Sequence, residues 1–562
     1  MPIARVFGTE HELVINLQSP DAGYHEKLDE ETMLAIKLLE HFRNYFYPDV
    51  SGDPHFKSFI RKEQLNLFPD DKFETSDKLL VMDYENILSA REPEDKKSRE
   101  PHSTGFYHGF MTPLGSRFYV DHGYFELSSP ECDDPFVYLA SEIAQEEIIA
   151  EEFAKIFGDH PGRPRLYKNV SDGHYHSQAA HRNFCVSADL WPRLVSKEAW
   201  RDYKFYTERI TRETRLLATW HVVEQILTGA GKYGDEYALW HRTLKPGEEE
   251  ALRGVFQISG RADFAEKLVG EETTQGRPII NQRYEPLADE TKYGRYHCIC
   301  GDANRAEWPH LFKMGLTAIV LGMIEDGALA LDFYVTKPVE ALRAVSRDPT
   351  CKGLVGVTSF SGGGEYGLSP IRIMEFFLAS MRRYLASRSV PAWCERILDK
   401  AEWAVWALGN EPELLESVLD WKIKERIGRG RPNAFDLHVV YHALVSPAEL
   451  YRLMCERGKV ETVIPRDMIE KYKKSPPETT RAYFRGNFLK RFYKELDFFA
   501  TDWYELVFQW IGVTGVMPKK IQMLEPLQLT KADWGAIFEG ERITLEPFKN
   551  LIVTHVTKEA KK

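Results

Sequence analysis

Two short stretches of this chain hold enough donor atoms to do chemistry. The first is Gly8-Thr9-Glu10-His11-Glu12, set in an alternating run with Val6 and Phe7 before it and Leu13, Val14 and Ile15 after it. The second lies about a hundred residues further on, Arg117-Phe118-Tyr119-Val120-Asp121-His122-Gly123-Tyr124-Phe125-Glu126. Side chains repeat every second residue along a strand, so Glu10 and Glu12 share one face, and Tyr119 and Asp121 share another. Carboxylates gathered in a fold repel unless cations neutralise them. A divalent ion backed by nucleotide phosphates meets that need, and hard oxygen donors suit Mg²⁺. The pattern reads as carboxylate-lined strands carrying Mg-nucleotide chemistry. A solvated strand edge is the competing explanation for any one pair.

Two further clusters add nitrogen donors. Tyr167 to Gly173 is followed by His181-Arg182-Asn183. Alternation puts His181 and Asn183 on one face, an imidazole for a metal or phosphate and an amide for a bound substrate or cofactor. Arg277 and Arg283 bracket Pro278-Ile279-Ile280-Asn281-Gln282, and Arg295-Tyr296-His297 and Gly301-Asp302-Ala303-Asn304 follow. Planar guanidinium forks bind phosphates in pairs and stabilise transferring charge. Surface salt bridging is the alternative for each arginine, and a structural role for each histidine. Cys298 and Cys300 sit beside His297, but spacing supplies no two further zinc ligands, so they read as buried thiols.

The elements that must position these groups follow from apolar spacing. A helix is predicted from about Asp29 to Tyr47, with Leu34, Leu38 and Phe42 four apart. Further helices are predicted over Phe136–Phe157, Tyr203–Leu227, Ala306–Glu325, Ile371–Ala386, Ala392–Leu408 and Pro412–Ile427. From about 48 to 108 the pattern breaks into a long polar insert, functional or disordered. Gly428 to Asn433 is the best linker, which divides the chain into a catalytic domain over 1–430 and a small domain over 431–562.

Bulk properties narrow the class. The 562 residues are 43% hydrophobic and 28% charged, an ordinary globular balance that disfavours disorder. A net charge of −12 argues against a general nucleic-acid binder. The seven cysteines are scattered without a CxxC pair, which points to a reducing cytoplasm rather than a disulfide scaffold. The most apolar stretch, Gly315 to Ile324, is too short to span a membrane. Between Lys471 and Lys494 eight basic residues face one acidic residue, Glu478, a local contrast that reads either as a docking surface or as a solvated helix face.

Taken in order, GTEHE, YVDHGYFELSSPEC, YKNVSDG with HRN, FQISGRADF, RPIINQRYEP, HCICGDAN and PPETTRAYFRG resemble the Pup ligase and depupylase family, relatives of glutamine synthetase and the carboxylate-amine ligases. VGEETT and the long segment ahead of the Asp121 strand resemble the depupylase branch more closely. The resemblance implies an α+β, glutamine-synthetase-like fold, a curved and mostly antiparallel sheet packed with helices plus a small C-terminal domain. It implies ATP and Mg²⁺ as cofactors and an acidic, disordered Pup-like modifier and its conjugates as partners, with no nucleic acid and no membrane. Glu10, Tyr119 and Glu126 then help to hold Mg-ATP, with Glu12 and His181 as further metal candidates and Asn183, Arg277, Arg283 and His297 as cofactor contacts. Asp121 falls on the catalytic aspartate, which attacks, or activates water to attack, the side-chain amide or isopeptide carbonyl of the modifier's C-terminal residue. A ligase forming that bond to target lysines and a non-catalytic nucleotide-binding adaptor are the alternatives. The chain departs from the family where His-Pro-Glu becomes Tyr124-Phe125-Glu126 and where His-Glu-Asn becomes His181-Arg182-Asn183, a charge reversal expected beside the site.

Overall fold

The computed structural model describes residues 5–16, 24–48, 109–121, 123–168, 171, 175–178, 180–194, 210–273, 276–283, 286–430, 435–494, 496–510, 519–537 and 552–553. The polar insert, the Asn169–Val170 and Asp172–His174 positions and the first part of the helix expected from Tyr203 lie outside these residues. The strands that matter below are β1 (Phe7–Asn16), β2 (Phe110–Met111), β3 (Arg117–Asp121), β4 (Tyr124–Ser128), β5 (Arg165–Tyr167), β6 (Ala180–Ser187), β7 (Lys267–Gly270), β8 (Pro278–Asn281) and β9 (Tyr293–Cys298). The helices are α1 (Tyr24–Phe46), α2 (Pro135–Phe157), α3 (Arg212–Thr228), α4 (Glu307–Glu325), α5 (Pro370–Ala386), α6 (Ala392–Asn410) and α7 (Ala482–Phe492). The fold is α+β; β1–β6, β6–β9, β8–β9, β2–β3 and β3–β4 pair antiparallel, and β7–β8 pair parallel.

The chain forms two compact units. One gathers residues 1–12, 133–146 and 165–469, the other residues 13–132, 147–164 and 470–562. Gly428 to Gly430 of the expected linker lie inside the first unit, and residues 431–433 of it lie outside the described residues.

In the first unit the strand order is β1-β6-β9-β8-β7. The β1 segment alternates, Phe7, Thr9 and His11 buried and Gly8, Glu10 and Glu12 half-buried, as a sheet with one packed face requires. Behind it, Glu142 of α2 accepts hydrogen bonds from Tyr138 and Lys168 and lies 3.0 Å from His11 Nε2. Lys168 also reaches Glu146 at 2.5 Å. The lysine of the YKN motif is thus a buried structural cation. Helix α4 carries the apolar Gly315–Ile324 run and is buried on every side from Glu307 to Ile324, the pattern of a core helix. At Gly315 a Cβ would lie 2.6 Å from Ile397 Cδ1, so glycine lets α6 pack against α4. Among the described residues no helix is long and apolar enough to cross a membrane.

In the second unit β2, β3 and β4 form an antiparallel ribbon whose Phe118, Val120 and Phe125 are fully buried. Leu34, Leu38 and Phe42 of α1 are buried as their spacing predicts, and the Phe42 ring lies 5.2 Å from Phe118 and 5.9 Å from Phe125. The Phe125 departure is therefore an aromatic core residue. Residues 470–562 contribute α7 and an antiparallel sheet of Leu496–Thr501, Glu505–Trp510, Lys519–Gln522 and Ile552–Val553. The basic run is not a uniform exposed patch. Arg481 and Arg485 are buried and clamp Glu131, Arg481 Nε donating at 2.9 Å and Arg485 Nη1 at 3.1 Å. Lys473 pairs with Glu147 at 2.7 Å, and Lys471 with Glu478 at 3.0 Å.

Removing the carboxylate from that clamp leaves two uncompensated buried cations, which costs about 3–5 kcal/mol. Glu131→Gln should lower the urea midpoint accordingly, whereas Arg253→Ala, which breaks an exposed pair with Glu249, should cost less than about 1 kcal/mol. Equal midpoints for the two variants would contradict the assignment.

Candidate functional site

The antiparallel register of β1, β6 and β9 fixes which side chains meet. Glu10 lies opposite His181, and Asn183 lies opposite His297. With a period of two, Glu10, His181, Asn183, Arg295 and His297 all stand on one face of the first unit's sheet. Asn183 Nδ2 donates to Glu10 Oε1 at 2.9 Å, and Arg295 Nη1 donates to Asn183 Oδ1 at 3.2 Å. Glu10 Oε2 is 3.3 Å from His181 Nδ1 and 3.7 Å from His297 Nε2. The two imidazoles stand edge to face, 5.0 Å between centroids.

Burial alone would raise the Glu10 carboxyl. The His181 hydrogen bond and the positive groups around it, Arg295 among them, outweigh burial and keep it ionised. His297 is pushed well below the ordinary imidazole value by burial and by the Arg295 charge, so it is a neutral ring with free lone-pair capacity. Both His297 nitrogens are buried without a hydrogen-bond partner. An orphaned pair of ring nitrogens beside an ionised carboxylate is what a metal or ligand contact leaves behind when it is missing. One donor atom each from Glu10, His181 and His297 fall within 4.8 Å of one another. The donor set fits a divalent ion. One carboxylate and two imidazoles are not the oxygen shell Mg²⁺ demands, so phosphate and water oxygens would have to complete it.

Beside this face lie more cations. Arg277 directs Nε to the Thr273 carbonyl at 2.8 Å, with its guanidinium 5.8 Å from the Phe264 ring. Arg283 is exposed at the end of β8, and its charge acts on His297. Arg261, unremarked in the sequence reading, is buried, with Nη2 on the Ile299 carbonyl at 2.8 Å and Nη1 without a partner. Burial and the neighbouring Arg277 push it down to about 10, and Glu12 is among the anions that oppose this. Arg261 was the missed member of the site region, its only sequence signal being membership of the FQISGRADF motif.

Asp302 is a bracket rather than a ligand. Its carboxylate accepts from the backbone of Ala230, Gly260 and Arg261 at 2.7, 3.0 and 2.8 Å and from Ser259 Oγ at 2.9 Å. Asn304 ties the Thr228 carbonyl to Asp420 in the same way. Arg182 is not beside the site. It points to the opposite, buried face and forks onto Glu224 of α3 at 2.6 and 3.0 Å, so the charge reversal is neutralised inside the core.

Tyr119, Asp121 and Glu126 belong to the second unit and are described there by themselves. Tyr119 lies directly across from Glu126, and Asp121 across from Tyr124, so these groups share a face of the β3–β4 hairpin. Glu126 is buried, while Tyr119 and Asp121 are half-buried. The turn after Asp121 passes through Gly123 at φ +87°, where a side chain would be strained and its Cβ would meet Thr32 Oγ1 at 2.7 Å.

The depressed His297 imidazole sets a pH dependence. The folded ring stays neutral while the unfolded one takes up a proton below about pH 6.5, so the stability tied to this group is complete above that pH and drains as pH falls. His297→Asn should flatten the slope of unfolding free energy below about pH 6.5 by up to roughly 1.4 kcal/mol per pH unit. Parallel wild-type and variant slopes would contradict it.

Residues 5–507 match the family described as Pup-ligase protein. A depupylase of Acidothermus cellulolyticus is 34% identical over 473 residues, covering 81% of this chain and 86% of that protein. A Pup deamidase/depupylase of Mycolicibacterium smegmatis is 32% identical, over 78% of this chain and 82% of that protein, and a Pup–protein ligase of a Nocardioides species is 31% identical, over 70% and 82%. The crystal structure of the complex between the prokaryotic ubiquitin-like protein Pup and its ligase PafA has a similar fold, with a TM-score of 0.66 at 20% identity, covering 100% of this chain and 99% of that one. On the length of the match and the identity to these relatives, the chain belongs to the Pup-ligase protein family.

Proposed function

We propose that this protein is a nucleotide-dependent amidohydrolase that cleaves the side-chain amide or isopeptide bond at the C-terminal residue of a Pup-like modifier. The observation that carries the reading is the comparison itself. Relatives named depupylase match over 77% to 81% of the chain at 32% to 34% identity, whereas those named ligase match over 69% to 70% at 29% to 31%. The two departures that favoured a non-catalytic adaptor, Phe125 and Arg182, are accommodated in packed cores. They give no reason to think the site disabled.

In this reading Glu10 and His181, with His297 behind them and Glu12 and Glu126 as further carboxylates, hold the divalent ion. Asn183 orients Glu10 through its amide, and Arg277, Arg283 and Arg295 carry the phosphates. A divalent ion and nucleotide held there would supply charge neutralisation and polarisation of the scissile carbonyl. Tyr119 contacts the nucleotide. Asp121 takes the proton of the attacking water and passes it to the departing ammonia or lysine amine. Where Asp121 attacks the carbonyl itself, the amine leaves with a proton from water and a second step of hydrolysis breaks the acyl-aspartate bond, so that in both cases the modifier leaves with a free carboxylate. A reducing, cytoplasmic setting accords with this, since all seven cysteines are free thiols.

Asp121→Asn should lower cleavage of a modifier–lysine conjugate by about a hundred- to ten-thousand-fold while nucleotide affinity stays within a few-fold. Glu10→Gln should weaken nucleotide and metal binding together. Product analysis separates the ligase alternative. Cleavage without stoichiometric ADP supports the proposal, whereas one ADP per bond formed or broken would replace it with the ligase. Full activity in Asp121→Asn would leave only the adaptor.

A further inference from the structure

The face of β6 and β9 opposite Glu10 and His297 carries a second set of donors. Cys298 ends β9, and the chain turns off the strand so that Cys300 brings its sulfur to 3.5 Å from Cys298 Sγ. Helix α3 supplies His221 and Glu224 one turn apart. His221 Nε2 lies 4.0 Å from Cys298 Sγ and 2.6 Å from the Tyr296 hydroxyl, and His221 Nδ1 lies 2.7 Å from Glu224 Oε1. One donor atom from each of His221, Glu224, Cys298 and Cys300 falls within 4.8 Å of the others. His221 and Glu224 are donors that spacing along the sequence does not reveal, because they come from a helix some seventy residues upstream.

We infer that Cys298, Cys300 and His221 Nε2 form a structural site for a thiophilic divalent metal, zinc being the type case. Bonds of about 2.0 to 2.3 Å in a tetrahedron put donors roughly 3.3 to 3.8 Å apart, close to the spacings seen here. Thiolate and imidazole are the donors such an ion prefers. The surroundings are those of a supported metal shell. Glu224 accepts from His221 Nδ1 and so fixes the ring with Nε2 toward the sulfurs. Its remaining lone pairs are taken by Arg182 and by Thr317 Oγ1 at 3.2 Å, so it acts on the imidazole rather than binding the ion itself. Arg182 Nη2 also donates to Cys298 Sγ at 3.0 Å, as outer donors do to metal-bound thiolates. The fourth position falls to an oxygen, and the Tyr296 hydroxyl is at hand. The charges close: a divalent ion balances two thiolates, and Arg182 balances Glu224. Nothing in this buried set is left uncompensated. The site is separate from the Glu10 cluster, lies on the other side of the same strands and takes no part in the proposed hydrolysis.

The test uses the full-length, reduced protein. After dialysis against a weak chelator, elemental analysis should find one zinc retained per chain. Cobalt added to the stripped protein should give the near-ultraviolet charge-transfer band of thiolate–cobalt bonds. Glu10→Gln should keep both signals, and Cys300→Ser, at the less buried thiol, should lose retained zinc at least tenfold and the cobalt band with it. Should Cys298→Ser fail to fold, the wild-type cobalt spectrum and Cys300→Ser still decide. Folded, fully reduced wild type that retains no zinc and shows no thiolate–cobalt band would overturn the inference. So would zinc that is lost in Glu10→Gln but kept in Cys300→Ser, which would move the metal to the other face.

Discussion

The register between β1, β6 and β9 is the constraint on which the rest of the first unit depends. Because side chains alternate, one register places Glu10, His181, Asn183, Arg295 and His297 on one face and Arg182, Tyr296 and Cys298 on the other. A slip of one residue would exchange the two sets, driving Glu10, His181 and His297 into the core. The buried side resists that slip. Arg182 is forked onto Glu224, and His11 and Lys168 gather on Glu142. Fixed charges make poor sliding surfaces, since any displacement strands a charge away from water.

Much of this arrangement was legible in the residues. The alternation of β1, the shared face of His181 and Asn183, and the helices over Pro135–Phe157, Glu307–Glu325 and Pro370–Ala386 all follow from periodicity alone. What the sequence could not convey is which side of a strand a motif residue faces. Arg182 and His181 are neighbours in the chain but point to opposite sides, so a departure that looked like damage to the site is a core ion pair. The helix expected over Pro412–Ile427 resolves into a short 3-10 turn over Pro412–Leu415 and a helix over Asp420–Gly428, because Asp420 is drawn into the bracket with Asn304 and Tyr441.

Motifs that looked chemical also prove to be architectural. Lys168, Asp302, Asn304, Arg481 and Arg485 each satisfy buried partners. A buried polar residue needs a complete set of partners, so it constrains its surroundings as tightly as a catalytic group does. Motif strength therefore marks the family and its scaffold, whereas the orphaned nitrogens of His297 point to the ligand.

The Arg182–Glu224 fork couples two distant positions. Installing a glutamate at position 182 would set two carboxylates against each other in the core, and changing 224 alone would strand a guanidinium. Neither step is neutral by itself, so the two positions are epistatic.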